Sequence, residues 1–414
     1  MEAPDVIPAA VEVLVVGAGP AGSAAAAWAA RDGRDVLLID GAVFPRDKTC
    51  GDGLTPRATA ELEHLGLGPW LRAHTVNHGL RMTGFGREEL LPWPGGSFPT
   101  YGSAVPRTEL DDMLRQTAVK SGARMLDGTK AVEVLRDGER VRGITVKTGS
   151  GTHTVGCRTL VVADGVRSPI GKQLGRRWHR RFAYGTAARA YIRSARSDDQ
   201  WITSHLELRN ADGALVPGYG WIFPLGNGEV NIGVGSLATE RRPSHIALKP
   251  LLEHYTAQRR DEWAFDGELR AVASALLPMG GAVSNVAGPN WVLIGDAAGC
   301  VNPLNGEGID YGLEGGHLLA ALLDEPDLRT VWPELLRARY GRTFSVARRI
   351  AGMATHPRMV PLGGPPLMRS ALLRRTAVRV MGNLVTDEDL DLTARLWRTA
   401  GRASMRADDL VPFA

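Results

Sequence analysis

The side chains best placed for chemistry in this chain stand where glycine clears the space around them. In FPRDKTCGDGL, residues 44–54, Cys50 is a lone thiol followed by Gly51, Asp52 and Gly53. The two glycines let the loop press against a ligand and present the thiol to it. Just upstream, VEVLVVGAGPAGSAAAAWAARDGRDVLLID places Gly17, Gly19 and Gly22 between an apolar run and an alanine-rich stretch, with Asp40 closing the next apolar run. Gly17 permits a tight turn, Gly19 lets backbone approach a pyrophosphate, and Gly22 brings helix against strand. Ala18, Pro20 and Ala21 complete the loop, and the free N–H groups of the helix start favour the anion. An acid at Asp40 accepts unphosphorylated ribose hydroxyls, so the ligand is FAD or NAD rather than NADP.

Two further strand ends pair an acid with glycine. LVVADGVRSPIGKQLG sets Asp164 and Gly165 at one, and WVLI runs into Gly295 and Asp296 at the other. The carboxylate of Asp296 can reach the ribityl or pyrophosphate end of a flavin. Gly306 and Gly308 open a helix whose positive end suits the flavin edge that becomes negative on reduction. Arg107 starts another helix as an Arg-x-x-Leu-Asp element. Together these point to FAD. The glycines at 226, 228, 233 and 235 lie in β-like sequence with no helix following, so a nicotinamide donor either visits transiently or is replaced by another electron donor.

In this order the motifs resemble the flavoprotein superfamily that includes the aromatic hydroxylases. The resemblance implies contacts to the cofactor from Gly17 to Gly22 and Asp40, a pyrophosphate contact from Arg107, an adenine contact from backbone near Ala131, and flavin contacts from Asp296, Gly308 and Ile309. The thiol loop and PGYGWIFPLGNGEVNIGVG, with Tyr219, Trp221, Phe223 and Pro224, are more similar to the geranylgeranyl reductase family, and within it to its bacterial menaquinone reductases. That resemblance runs from about residue 10 to 330 and implies a CH–CH oxidoreductase that saturates one isoprene unit of menaquinone or another polyprenyl lipid. A prenyl tail offers no charge to grip, so its site should be an apolar tunnel, at roughly 0.8 kcal/mol per buried CH₂. Tyr219, Trp221 and Phe223 alternate by two and would share one face of a strand. An isolated alkene also needs a positioned acid. Cys50, in a loop that Gly51 and Gly53 let press against the flavin and that should therefore contact the cofactor, is the candidate, with Tyr219 as the alternative.

The elements that must position these groups read as an α/β chain. A Rossmann-like cofactor domain with a parallel sheet takes 1–75, 103–175 and 286–330. An antiparallel substrate domain takes 76–102 and 176–285, and a helical region takes 331–414. Helices are expected at 56–67, 107–121 and 306–323, and strands at 11–16, 36–39, 130–135, 141–147, 160–163 and 291–294. Three cysteines with no CxxC pair support neither a disulfide framework nor a zinc site, so no metal is expected. The acidic start MEAPDVIPAA lacks the pattern of a signal peptide, and no stretch reads as a spanning helix.

From Leu335 to Thr386 there is no Asp or Glu, while ten arginines leave the remainder of the chain net acidic. Such a block suggests an anionic partner, and a membrane surface fits best. The placement expected is therefore peripheral, on the cytoplasmic face. Nucleic acid fits less well, because no aromatic platform interleaves the arginines. Other readings of the same residues are a geranylgeranyl lipid or diphosphate reductase, an FAD-dependent aromatic hydroxylase or halogenase, and a non-catalytic escort for prenyl lipids.

Overall fold

The computed structural model describes residues 7–414, so the first six residues of the acidic start lie outside it. Ala10–Val16 is a strand because its apolar run is covered on both faces, with Val13, Leu14 and Val15 essentially inaccessible. It pairs in parallel with Val36–Ile39 on one side and with the end of Gly151–Val162 on the other. Trp291–Leu293 and Arg124–Leu126 extend the parallel set. Lys130–Asp137, Arg140–Thr148 and Ala287–Gly288 join antiparallel, completing eight strands.

Pro20 opens the helix Pro20–Arg31, where its missing N–H costs nothing, and the alanines that follow allow close packing. Its partner is the helix Ile309–Ala320. A Cβ at Gly316 would fall 2.6 Å from the nitrogen of Ala25, so glycine is required for the two backbones to meet. The helix expected from residue 306 begins only at Ile309, because Gly306 takes a left-handed φ of 78° and residues 306–308 form a loop that reaches the cavity described below.

A second sheet has seven strands, in the order Phe265–Leu277, Tyr184–Ser194, Glu229–Ala238, Gly218–Pro224, Trp201–His205, Gly79–Gly84 and Arg87–Pro92. It is antiparallel except where Trp201–His205 runs parallel to Gly79–Gly84, a pairing made by segments far apart in sequence. Ile192, Ile222, Ile232 and Trp263 form its core, against the helix Leu248–Arg259.

Beyond residue 330 the chain is helical, as expected. No helix among the described residues is long and apolar enough to cross a membrane. The arginine block is less free than its sequence suggests, because acids from elsewhere in the chain have come to meet it. Arg339 pairs with Glu314, Arg342 with Asp387, Arg348 and Arg349 with Asp408, Arg374 with Glu89, and Arg379 with Asp389 and Asp391. Arg337 donates to the carbonyl of Phe413.

Candidate active site

Both sheets border one cavity of about 960 Å³. At its polar end lies the glycine loop. Gly17 has φ 104°, and a Cβ there would fall 2.3 Å from the Ala163 carbonyl, so the turn is reserved for glycine by strain and by contact. Gly22 is reserved by contact alone, its Cβ position lying 1.8 Å from the Gly17 carbonyl. Gly19 differs from both. Nothing crowds its open side, and the nearest groups are the guanidiniums of Arg46 at 3.6 Å and Arg107 at 3.9 Å. Two cations facing a bare loop at a helix start make an anion site.

Arg107 is buried and held by both oxygens of Asp111, each at 2.6 Å. Arg46 lies 2.9 Å from the same carboxylate, yet its buried Nη1 completes no hydrogen bond and still has a proton to donate. Asp40 accepts from the N–H groups of Ala18 and Ala42, both at 2.8 Å, which fixes its carboxylate beside the cavity. Ala131 lines the same end on the strand Lys130–Asp137. This donor set fits the diphosphate and ribose of FAD.

Asp164 has a structural use beside the one its strand-end position suggests. Its carboxylate accepts from Ser168 Oγ at 2.5 Å and from the Ile170 N–H at 2.9 Å, so it fixes the turn into the helix Pro169–Gln173. With Gly165 it still borders the cavity. Gly295 and Asp296 form a short 3-10 turn, and the carboxylate of Asp296 lies beside Gly308, whose Cβ position is 3.4 Å from it. Gly306, Gly308 and Ile309 also border the cavity.

The thiol loop crosses the middle. Asp52 is fully buried, with φ 64°, and accepts from Tyr191 Oη at 2.7 Å and Asn231 Nδ2 at 2.8 Å. Asn231 also donates to the Cys50 carbonyl at 2.9 Å and accepts from Trp221 Nε1 at 2.9 Å. Arg189, fully buried, holds the start of the loop through Asp47 and the Lys48 carbonyl. Gly51 and Gly53 have a reason that the sequence reading did not supply. A Cβ on Gly53 would lie 2.8 Å from Phe223 and one on Gly51 3.2 Å from both Phe223 and Trp221, so the room they leave is filled by these rings.

Burial raises the Cys50 thiol above its ordinary range, with Arg107 opposing, so it keeps its proton at neutral pH. Its sulfur accepts from the Asp52 N–H at 3.3 Å. Tyr219 donates its hydroxyl proton to the Asn305 carbonyl and is raised first by burial, then by Glu307 and Cys50. The three rings succeed one another along Gly218–Pro224, with centroids 5.9 Å apart from Tyr219 to Trp221 and 6.3 Å from Trp221 to Phe223. Pro224 ends that strand away from the cavity lining.

Two acids in this region escaped the sequence reading. Asp52 reads in the sequence as a turn residue, and Glu307 sits in the NGEG stretch, where the glycines carry the signal. Its carboxyl accepts from Thr55 Oγ1 at 2.8 Å and Asn305 Nδ2 at 3.4 Å, and burial, aided by Asp310, raises it far above the carboxylate range. The signal available was an acid beside a glycine-opened helix start, where an anion is favoured but burial keeps a proton on it. Past the rings the walls turn apolar, with Leu80, Met82, Ile202 and Met279, and the cavity ends among Met353, Met359, Gly363, Leu367 and Met381 of the C-terminal helices.

Residues 10–338 match the family model described as FAD binding domain. A menaquinone reductase from Mycobacterium tuberculosis is 65% identical over 402 residues, covering 97% of this chain and 98% of the relative. A digeranylgeranylglycerophospholipid reductase from Methanopyrus kandleri is 31% identical, over 83% of this chain and 90% of its own. Among solved structures, a geranylgeranyl bacteriochlorophyll reductase-like protein from Thermoplasma acidophilum superposes with a TM-score of 0.77 at 20% identity, covering 94% of this chain and 99% of that one.

Proposed function

The chain belongs to the FAD-binding domain family and, within it, to the menaquinone reductases, and from that premise we propose that it reduces one isolated C=C bond in the polyprenyl tail of a membrane quinone. One observation carries this reading. The cavity runs without interruption from the anion site at Gly19, past the thiol loop, to walls of aromatic and aliphatic side chains.

The glycine loop with Asp40, Arg46 and Arg107 would hold FAD at the polar end, and its reduced form would supply a hydride there. The chain's own residues have the remaining tasks of holding the tail, excluding water and delivering a proton to the second alkene carbon. Trp221 and Phe223 offer flat apolar walls for the tail, and Trp221 is fixed by its hydrogen bond to Asn231. Cys50 is the proton donor in this reading. It is protonated, and no hydrogen bond from its thiol to an acceptor restrains it, whereas the Tyr219 proton is engaged by Asn305. Glu307, protonated and bordering the same cavity, is placed to restore the proton.

The discontinuous division given above is supported by the strands of the eight-stranded sheet falling in its cofactor segments and those of the seven-stranded sheet in its tail segments. The enzyme works on the cytoplasmic face of the membrane, where the quinone and a separate electron donor are both within reach. The test is incubation of the purified flavoprotein with menaquinone and a chemical reductant, followed by mass spectrometry. Two hydrogen atoms gained in the tail support the reading. Oxygen incorporation, or no change in protein that retains its flavin, overturns it.

A further inference from the structure

Three arginines of the block remain exposed without an ion pair among the described residues: Arg358, Arg369 and Arg375. They occupy the same stretch as Met353, Met359, Leu362, Leu372 and Leu373, five of the fourteen large apolar side chains left exposed among the described residues. Leu362 and Leu372 are 67% and 71% exposed. No carboxylate occurs between residues 335 and 386 to offset the charge locally. Singly exposed leucines need no explanation, but a run of them rimmed by unpaired cations is a surface awaiting an apolar and anionic partner.

The helix Met359–Arg369 has two faces with separate uses. Met359, Val360, Gly363, Gly364 and Leu367 line the far end of the cavity, while Leu362 points away from it. The helix is held at Met368, which is fully buried, and at Gly364, where a Cβ would lie 2.1 Å from Phe85. Its sequence, MVPLGGPPLMR, is poor in helix formers. This helix therefore lies between the far end of the apolar cavity, which it lines together with the helices Arg342–Ala354 and Ala371–Met381, and the cationic, apolar exterior.

We propose that the face formed by Met353, Leu362, Leu372 and Leu373 with Arg358, Arg369 and Arg375 docks into the headgroup region of an anionic phospholipid bilayer, and that the helix Met359–Arg369 is the portal through which the polyprenyl tail passes into the cavity. The proposal rests on the reading of a membrane-dissolved tail as substrate. It differs from the arginine-block expectation in assigning adhesion to three cations and an apolar ridge, since the other seven arginines serve the fold. Apolar burial holds the face in place and the guanidiniums select anionic headgroups.

The test uses the FAD-loaded full chain, flotation with phosphatidylglycerol or phosphatidylcholine vesicles, and the variant Leu362→Glu/Leu372→Glu, whose sites lie outside the cavity lining. Wild type should float with phosphatidylglycerol, less so as salt rises, and weakly with phosphatidylcholine. The variant, with unchanged circular dichroism and flavin content, should bind at least about tenfold more weakly. It should also lose turnover on vesicle-embedded menaquinone while keeping it on a short-tailed quinone in detergent. Equal vesicle binding by variant and wild type overturns the proposal. So does a wild-type dimer that the variant dissolves, with vesicle binding unchanged, which would assign the face to a second copy. Absence of detergent activity in wild type would instead defeat the reductase reading, leaving the flotation result to be judged alone.

Discussion

Cys50 and Asp52 stand two residues apart in the thiol loop, and their environments set opposite tasks for them. Cys50 keeps a proton that it can deliver, so Cys50→Ala should retain FAD, read from its absorbance, and lose about 100-fold in turnover. Tyr219→Phe should retain most activity, because the hydroxyl it removes is tied to Asn305. The reverse pattern would transfer the proton to Tyr219. Asp52 is structural, and burial pushes its carboxyl up to about 6. An acid that holds its proton more tightly when folded stabilises the fold below its unfolded pKa, near 3.9, and that contribution is lost as pH rises through about 6. Wild-type melting temperature should therefore fall across this window. Asp310 is pushed to a similar value and adds to the slope. Asp52→Asn keeps an acceptor and tolerates a left-handed φ, so it should flatten part of that decline. Parallel melting curves for the two proteins would show that Asp52 does not titrate there.

Strands and helices were legible where one element explains itself. The strand–glycine–helix unit at 10–31 could be read from its apolar run, its glycines and its alanines, because each of those signals is local. What could not be read is the partner that each glycine faces. Gly233 looked like an ordinary β-strand glycine, yet it is the residue opposite Trp221, and a Cβ there would fall 2.0 Å from the indole. Gly51 and Gly53, expected to let the loop lie beside the flavin, also make room for Phe223 and Trp221, a relation set by a loop meeting a strand far away in sequence. The parallel pairing of Trp201–His205 with Gly79–Gly84 was hidden for the same reason. Gly233→Ala tests this dependence. Overpacking costs about 1–3 kcal/mol when neighbours must shift, and the neighbour here is Trp221, which lines the cavity and is the proposed wall of the tail site. Turnover should drop while FAD content stays unchanged. Normal kinetics would mean that the Trp221 position is not needed for the tail.

The molecule as a whole depends on a charge cluster where the C-terminal helices meet the cofactor-binding part. Glu314, on the helix Ile309–Ala320, receives two nitrogens of Arg57 at 2.7–3.1 Å, Arg339 Nε at 2.6 Å and the Tyr340 hydroxyl at 2.9 Å. Burial alone would raise its pKa, but Arg57 and Arg339 outweigh that and lower it, so it stays charged. Arg57 reaches further, to the carbonyl of Asn383, and so ties the helix Pro56–His64 to the end of Ala371–Met381, next to the portal helix. Removing one partner of a buried pair leaves the other charge unpaired, at a cost of about 3–5 kcal/mol. Glu314→Gln should therefore lower the melting temperature well below wild type, whereas Arg339→Gln, at a more exposed cation, should do so much less. Replacing both buried charges, Arg57→Met with Glu314→Leu, removes the uncompensated ion as well as the pair and should recover much of the lost stability. If the double variant were instead as unstable as Glu314→Gln, the cluster would be required for its geometry rather than its charge balance, and the C-terminal helices would depend on Asn383 and Tyr340 for their place over the cavity.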